Sequence, residues 1–410
     1  MKRLILSIIS IAFFYSLSAQ QDYIPLKQLF KDDFLIGVAV NERCFTGDNA
    51  KMVVDNYNTV TAENAMKPEN VLYRPMRQFA PGQAGQPGQA APSRPSGQPG
   101  QAAPAGQPQG MPFMQQGPLK LDTVGDLVFN WTSADRHADF ARQNNLKMRG
   151  HTIVWHSQTP ASFFTDKDGK ELTKEQLYAR LKDYMTAVMT RYKDITFCWD
   201  VVNEALSDTE GEIYRTSSPW YKICGKEFIP MAFRIARSVD PNAKLIYNDY
   251  NIVDPAKRER AYTLLKELKD AGVPIDGVGL QAHWSNEVTP EMIQASIDRF
   301  SSLGLEIQIT ELDLTVYTNY HGEGAKNQQK ETKQFTEEVA NLQAEKYKSY
   351  FEVLHKNADK ITSVTFWGLH DGMTWLSGFP VRGRRDYPMI YDNELKPKKA
   401  YYSIKSVYQK

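Results

Sequence analysis

Apolar and polar residues alternate along this chain with two different periods. Short runs rich in β-branched and apolar residues, typical of buried strands, are separated by longer segments in which apolar residues recur at helical spacing. The predicted strands span residues 34–40, 59–64, 147–155, 195–203, 243–248, 277–282, 306–310 and 362–368. The predicted helices include residues 134–144, 174–191, 227–238, 256–271, 290–303 and 333–358.

The alternation of strands with helices predicts an α/β protein. Eight strands interleaved with helices in one unit favour a closed parallel sheet, the (β/α)8 TIM barrel. An open doubly wound sheet is the alternative architecture for this pattern. No G-x-G-x-x-G turn follows the first predicted strand to support the dinucleotide site of such a sheet. The sequence therefore predicts one barrel domain over residues 21–410.

One long segment after the second predicted strand breaks the pattern. Residues 79–117 consist mainly of Gly, Pro, Gln and Ala, and the octapeptide GQPGQAAP occurs at 85–92 and again at 97–104. Such a composition has little apolar surface to bury, so it cannot offset the entropy lost on ordering. We expect a disordered surface insertion, and a tether or spacer across one end of a cleft is the alternative interpretation.

The first residues have the pattern of a secretory signal peptide. Lys2 and Arg3 precede an apolar run over residues 4–17, which small residues follow. Residues 1–20 are therefore expected to be removed, which predicts a secreted or periplasmic protein. No later stretch has the roughly 20 continuous apolar residues that a membrane span requires.

Charge and cysteine content exclude several classes of function. Lys plus Arg total 49 against 48 for Asp plus Glu, so the net charge is +1 and predicts no nucleic-acid-binding surface. Cys44, Cys198 and Cys224 allow at most one disulfide and lack metal-ligand spacing. We therefore expect a neutral partner, no metal and no organic cofactor.

Polar residues cluster at the ends of the predicted strands. In a barrel, the carboxyl ends of all strands meet at one face. A single polar residue at such a position is more often a hydrogen-bonded structural group than part of a site, but seven strands share the feature here. The residues are Glu63, Asn64, His151, Trp155, His156, Asn203, Glu204, Asn248, Asp249, Gln281, His283, Glu311, Asp313, Trp367, His370 and Asp371.

Two of these residues, Glu204 and Glu311, indicate a specific chemistry. They follow the fourth and seventh strands, which lie across the barrel mouth from each other, and a pair of carboxyl groups is what glycoside cleavage requires. A separation of about 5 to 5.5 Å predicts retention of configuration and one of about 6.5 to 9.5 Å predicts inversion. The sequence leaves both outcomes open.

Roles can be assigned for the retaining route. Glu204 would donate the proton to the leaving oxygen and Glu311 would act as nucleophile. His283 and Asp313 would orient Glu311, although a structural barrel histidine is the alternative for His283. Asn203 would donate a hydrogen bond to the sugar 2-hydroxyl, or would instead cap the following helix.

Seven motifs resemble a known family closely. TAENAMK, GHTIVWHSQTP, WDVVNEA, NDYN, GLQAHW, ITELDL and TFWGLHDGMTW follow, in order, the pattern of glycoside hydrolase family 10, the retaining endo-1,4-β-xylanases. The resemblance implies a (β/α)8 barrel with Glu204 as acid/base and Glu311 as nucleophile. It also implies substrate-binding roles around the cleavage point for His151, Trp155, Asn203, Gln281, His283 and Trp367, and on the next glycone sugar for Glu63, Asn64, Lys67, Gln158 and Trp375.

The same resemblance implies the substrate. Xylose lacks the hydroxymethyl group of glucose, and Gln158 and Trp375 match the positions that would wall off the space beside ring carbon five. The expected partner is xylan or a xylo-oligosaccharide, bound by a monomer. A cellulase or mannanase of the same architecture and a non-catalytic carbohydrate-binding barrel are the alternatives.

Overall fold

A computed structural model describes residues 23–73, 119–317 and 332–409 of the chain. The predicted signal peptide over residues 1–20 and the predicted insertion over residues 79–117 lie outside the described residues. Both therefore stay predictions.

Eight parallel strands close into a barrel, which confirms the predicted fold class. Each strand pairs with its neighbours in chain order, and the last strand pairs with the first, so the barrel has no open edge. The strands are β1 (Leu35–Val40), β2 (Thr59–Ala62), β3 (Lys147–Gly150), β4 (Thr196–Asn203), β5 (Lys244–Asp249), β6 (Gly277–Leu280), β7 (Glu306–Thr315) and β8 (Ile361–Phe366).

A helix follows each strand and packs on the outside of the barrel. The helices are α1 (Gly47–Asn56), α2 (Thr132–Gln143), α3 (Lys174–Arg191), α4 (Phe228–Val239), α5 (Pro255–Asp270), α6 (Pro290–Ser301), α7 (Glu337–Lys356) and α8 (Lys399–Tyr408). Shorter helices and 3-10 turns span Leu26–Leu29, Glu42–Phe45, Pro68–Val71, Ala161–Phe164, Pro219–Cys224, Gly225–Glu227, Asp371–Met373 and Trp375–Ser377.

Four short β segments accompany the eight barrel strands, and of these only Val154–Trp155 falls within a predicted strand, residues 147–155. Leu121–Val124 and Leu127–Asn130 form an antiparallel hairpin before α2. Val154–Trp155 extends the pairing beside β4, and His283–Ser285 extends the pairing beside β7. The two extensions carry the sheet beyond the ends of β3 and β6, where the candidate site residues lie.

Local sequence explains where the helices begin. Thr173 and Gln176 form a capping box at the start of α3, each side chain accepting a hydrogen bond from the other residue's backbone N–H. Asp254 caps α5 by accepting from two backbone N–H groups, and Pro255 occupies the first helical position, where no intrahelical donor is needed.

The barrel interior contains polar as well as apolar residues. Gly37 on β1 faces Thr59 and Thr365 on the two flanking strands, and a Cβ at this position would collide with both hydroxyl groups. Arg149 and Asp200 lie fully buried further along the interior and form an ion pair. All three cysteines are buried and unpaired. Among the described residues, no helix is long and apolar enough to cross a bilayer.

Candidate active site

Glu204 and Glu311 are brought to the carboxyl end of the barrel by β4 and β7. Glu204 directly follows β4, with a backbone φ of 57°, and its N–H donates to the carbonyl of Asn248 at 2.9 Å. A non-glycine residue rarely adopts this left-handed conformation, and such residues concentrate at functional sites.

The seventh strand is longer than its sequence pattern predicts. The predicted strand ends at residue 310, whereas β7 continues through Thr315 and includes Glu311 and Asp313. The prediction was wrong here because the extension is stabilised by His283–Ser285, which pairs with Asp313–Thr315 in parallel register. Glu311 is consequently held on a rigid strand and not on a loop.

Three side chains donate hydrogen bonds to the Glu204 carboxylate. Trp155 Nε1 donates to Oε2 at 2.8 Å, while Gln281 Nε2 and Asn203 Nδ2 donate to Oε1 at 2.9 and 3.1 Å. His156 Nδ1 lies 3.9 Å from Oε2. Burial, aided by the charge of Arg215, lowers the pKa of His156 to about 3, so this ring is neutral beside Glu204 at ordinary pH.

Glu311 is held by a histidine and an amide. Oε2 lies 3.2 Å from His283 Nε2, and Oε1 accepts from Asn248 Nδ2 at 2.8 Å. His283 is held in turn by Asp313, whose Oδ2 is 2.9 Å from Nδ1 and also accepts from Trp375 Nε1 at 2.9 Å. The orientation of Glu311 is therefore fixed through both of its oxygens.

The electrostatic environment favours an ionised Glu311. Burial opposes the negative charge, but electrostatic interactions with His151, His283 and Lys67 and the hydrogen bond from His283 outweigh it and lower the pKa to about 2. Burial likewise opposes the charge on His283, but Asp313 and Glu311 raise its pKa to about 10. Glu311 and His283 therefore form an ion pair at neutral pH.

Two amide side chains connect the carboxylates. Asn203 donates to Glu204, and its Oδ1 accepts from Asn248 Nδ2 at 2.9 Å; the same Nδ2 donates to Glu311. Thr310 Oγ1 donates to Asn248 Oδ1 at 2.6 Å, which fixes the amide so that its nitrogen points toward Glu311. Glu204 and Glu311 therefore belong to one polar layer across the mouth.

A second group of predicted site residues surrounds a buried lysine. Lys67 Nζ donates to Asn64 Oδ1 at 2.9 Å and to Gln158 Oε1 at 3.0 Å, and Asn64 in turn donates to Glu63. Lys67 Nζ also lies 4.9 Å from the centre of the Trp155 ring. Burial lowers the pKa of Lys67, although Glu311, Glu63 and Glu204 oppose this effect.

Aromatic rings complete the walls of the mouth. The Trp367 ring lies 5.3 Å from the ring of His151 and 6.2 Å from that of His283, with both pairs edge to face. The centre of the Trp375 ring lies 4.9 Å from that of His283. The contacts described so far join every predicted catalytic, substrate-binding and supporting residue into one continuous network.

Several residues that hold this network were absent from the predicted site. Asn248 was noted only as a polar strand end, yet it contacts Glu311 directly. Asp200 accepts from His151 Nδ1 at 2.8 Å and pairs with Arg149 inside the barrel. The single acidic residue in the apolar run of β4 was the available clue to Asp200, because a buried carboxylate requires partners.

The described residues include no group of three or more His, Cys, Asp or Glu side chains arranged to hold a metal. The site consists of two carboxyl groups, their amide and histidine partners, and the surrounding rings. A TIM barrel with two carboxyl groups at its mouth is the arrangement that many glycoside hydrolases use.

Comparison with known proteins gives the family. The model of "Glycosyl hydrolase family 10" matches residues 25–407, so the chain belongs to that family. A β-1,4-xylanase of Dictyoglomus thermophilum is 38% identical over 403 residues, covering 98% of this chain and 96% of that protein. An endo-1,4-β-xylanase of Geobacillus stearothermophilus is 35% identical over 383 residues, covering 93% and 98% respectively.

Solved structures agree with the family assignment. The endo-1,4-β-xylanase from Caldicellulosiruptor owensensis matches with a TM-score of 0.76 at 36% identity, covering 93% of this chain and 99% of that chain. A mutant solved in complex with xylotriose matches with the same TM-score, identity and coverage.

Proposed function

We propose that this enzyme is a retaining endo-1,4-β-xylanase that cleaves the β-1,4-linked backbone of xylan by double displacement. The observation that carries the proposal is the contrast between the two carboxyl groups. Glu311 is held ionised by the His283 ion pair, whereas the side chains that donate hydrogen bonds to the Glu204 carboxylate, Trp155, Asn203 and Gln281, are neutral. A retaining enzyme needs one fixed anion and one group that gains and loses a proton.

In the first step, the Glu204 carboxyl group protonates the glycosidic oxygen while Glu311 attacks the anomeric carbon. The bond from this carbon to the leaving oxygen breaks, and a covalent bond to the Glu311 oxygen forms. In the second step, Glu204, now a carboxylate, takes a proton from water. The water oxygen attacks the same carbon, which releases Glu311 and regenerates both groups.

Xylan is the proposed substrate because of the groups beside the cleavage point. Lys67 and Gln158 form a hydrogen-bonded pair, and the Trp375 ring packs against His283. A rigid wall at these positions excludes the hydroxymethyl group of a glucose unit and admits xylose. The relatives in Dictyoglomus thermophilum and Geobacillus stearothermophilus carry xylanase names, which supports this choice.

Replacing the nucleophile tests the mechanism. Glu311→Ala should abolish hydrolysis of an aryl β-xylobioside, and added azide should restore release of the phenol with an α-xylobiosyl azide as product. Glu352→Ala, which changes an exposed glutamate on α7, is the matched control and should keep full activity. Undiminished turnover by Glu311→Ala, or a β-configured azide, would overturn the assignment.

Paired assays test the substrate. Wild-type enzyme should release reducing sugar from xylan much faster than from carboxymethylcellulose or mannan. A preference for either of the other polymers would instead identify a cellulase or mannanase. Binding without release of sugar from any of them would identify a non-catalytic barrel.

Secretion and a monomeric state belong to the same proposal. Both rest on the sequence, through the signal peptide predicted over residues 1–20 and the single predicted domain. N-terminal sequencing of the mature protein and light scattering would test them.

A further inference from the structure

We propose that Arg215 is a positioning residue for Glu204. In this role it holds the backbone turn that carries Glu204 and so sets where the carboxyl group meets the leaving oxygen. The inference rests on the proposed function, since it takes Glu204 to be the proton donor of that reaction. Arg215 lies in the loop after β4, and 15% of its side chain is exposed.

The backbone of Glu204 is held on both sides of its Cα. Its N–H donates to the carbonyl of Asn248 at 2.9 Å, and its own carbonyl accepts from Arg215 Nε at 3.2 Å. The two bonds fix the peptide groups before and after the residue. A φ of 57° costs free energy in a non-glycine residue and persists only where surrounding contacts hold it. The Arg215 bond is one of those contacts.

The loop between these two residues folds back on itself, which brings Arg215 beside Glu204. Leu206 and Tyr214 form an antiparallel bridge, and the N–H of Arg215 donates to the carbonyl of Ala205 at 2.8 Å. Arg215 is therefore attached to the turn through its backbone as well as through its side chain. A change at its side chain alone can leave the course of this loop intact.

The far side of the Arg215 guanidinium is also fixed. Nη2 donates to Tyr250 Oη at 2.8 Å and to Asp208 Oδ2 at 3.1 Å, and the Tyr250 hydroxyl donates to the same Asp208 oxygen. Burial opposes the charge on Asp208, but Lys257, Tyr250 and Arg215 lower its pKa to about 2. The planar fork of arginine can serve a carbonyl and a carboxylate at once, which the single ammonium of lysine does less well.

The position of the Glu204 carboxyl group matters only where it moves a proton. A general acid must lie within hydrogen-bond reach of the atom it protonates, and a displacement of about 1 Å can cost on the order of 100-fold in rate. Loss of the Arg215 bond frees one of the two fixed peptide groups. The defect should therefore appear with leaving groups that need a proton and be small with those that do not.

Two aryl glycosides separate these cases. Phenyl β-xylobioside needs a proton on its leaving oxygen, whereas dinitrophenyl β-xylobioside releases a stable anion, and both place the same sugars in the cleft. We expect Arg215→Met to lower kcat/KM by roughly 10- to 100-fold on the phenyl glycoside and by about threefold or less on the dinitrophenyl glycoside. Arg215→Lys should lower the phenyl-to-dinitrophenyl ratio less than Arg215→Met does. Glu204→Ala should lower it most.

A second arginine supplies the matched control. Arg299 on α6 pairs with Glu259 at 2.5 Å and lies 3.3 Å from the centre of the Tyr262 ring, both on α5. Arg299→Met therefore breaks a similar set of partners on the outer helices. It should leave the phenyl-to-dinitrophenyl ratio at the wild-type value.

The outcomes distinguish positioning from support of the fold. An unchanged ratio in Arg215→Met, or equal losses on both glycosides, would overturn the proposal. If Arg215→Met does not fold, Asp208→Asn takes its place, since it loosens the guanidinium but keeps Arg215. Asp208→Asn should lower the ratio roughly 3- to 10-fold, and no change would likewise overturn the proposal. If Glu204→Ala keeps the wild-type ratio, or wild-type enzyme cleaves neither glycoside, the proposed function itself fails.

Discussion

Nε2 of His283 lies 3.2 Å from Oε2 of Glu311, and both side chains are buried. His283 holds its charge because Asp313 lies 2.9 Å from its other ring nitrogen. The histidine therefore does two things at the proposed nucleophile: it fixes one carboxylate oxygen in place, and it keeps the carboxylate ionised far below its usual pKa.

Replacing His283 should shift the pH dependence of the enzyme. Glu311 must be ionised to attack the anomeric carbon. Its pKa of about 2 keeps it ionised, and the enzyme active, at low pH. In His283→Gln the compensating charge is lost while burial remains, so the pKa of Glu311 rises. The acid limb of kcat/KM should then move upward by roughly 1 to 3 pH units. Initial rates on an aryl xylobioside across a pH series would measure the shift.

A surface histidine provides the control for this experiment. His355 lies 2.6 Å from Asp33 and is half exposed on α7. His355→Gln makes the same chemical change at a distance from the site and should leave the pH profile unaltered. An acid limb in His283→Gln that coincides with that of wild type would show that His283 does not control the ionisation of Glu311.

Asn248 should contribute mainly to the chemical step. Its amide nitrogen donates to both Asn203 and Glu311, and the residue is fully buried. Asn248→Ala leaves a buried carboxylate oxygen without that donor, which costs on the order of 1 to 3 kcal/mol. We expect kcat to fall roughly 10- to 100-fold while KM changes about twofold or less, because Asn248 acts through Glu311.

Two further variants sharpen this prediction. Asn248→Asp keeps the shape of the side chain but places a second carboxyl group against Glu311. Near neutral pH, this variant should therefore have a lower kcat than Asn248→Ala. Thr310→Val removes only the hydroxyl that orients the Asn248 amide and should have a smaller effect. An Asn248→Ala enzyme no slower than Thr310→Val would contradict the proposed role.

The strand order of the fold was predictable because buried strands and amphipathic helices leave different periods in the sequence. The residues at which the strands end were harder to predict. β7 extends to Thr315 only because His283–Ser285 pairs beside it, and this depends on the register between two strands that lie far apart in the chain. Helices α1 and α8 were also absent from the predicted set, and at 10 residues each they are the shortest of the eight barrel helices.

The candidate site was predictable where a polar residue ends an apolar run, as Glu204 and Glu311 do. The residues that hold those carboxyl groups were harder to find. Asn248 bridges Asn203 and Glu311 through contacts between β4, β5 and β7, which only the closed barrel creates. Arg149 was hard to find for the same reason. Its partner Asp200 comes from the neighbouring strand and faces the same barrel interior.

The Arg149 and Asp200 pair should be important for stability as well as for the site. Both side chains are fully buried, and Asp200 also accepts from His151 Nδ1 at 2.8 Å. In Asp200→Asn the shape is kept, but the Arg149 guanidinium loses its only carboxylate partner among the described residues while it stays buried. Leaving one member of a buried pair uncompensated costs about 3 to 5 kcal/mol of unfolding free energy.

An exposed pair of the same type supplies the comparison. Asp194 accepts from Arg142 at 2.7 Å, and 57% of the Asp194 side chain is accessible to solvent. Asp194→Asn should lose less than about 1 kcal/mol of unfolding free energy, because water and salt already weaken exposed ion pairs. Urea unfolding of both variants, followed by tryptophan fluorescence, would measure the difference. Equal losses of unfolding free energy in Asp200→Asn and Asp194→Asn would contradict this prediction. They would show that the buried charge of Arg149 is compensated by water, and that the interior ion pair contributes little to stability.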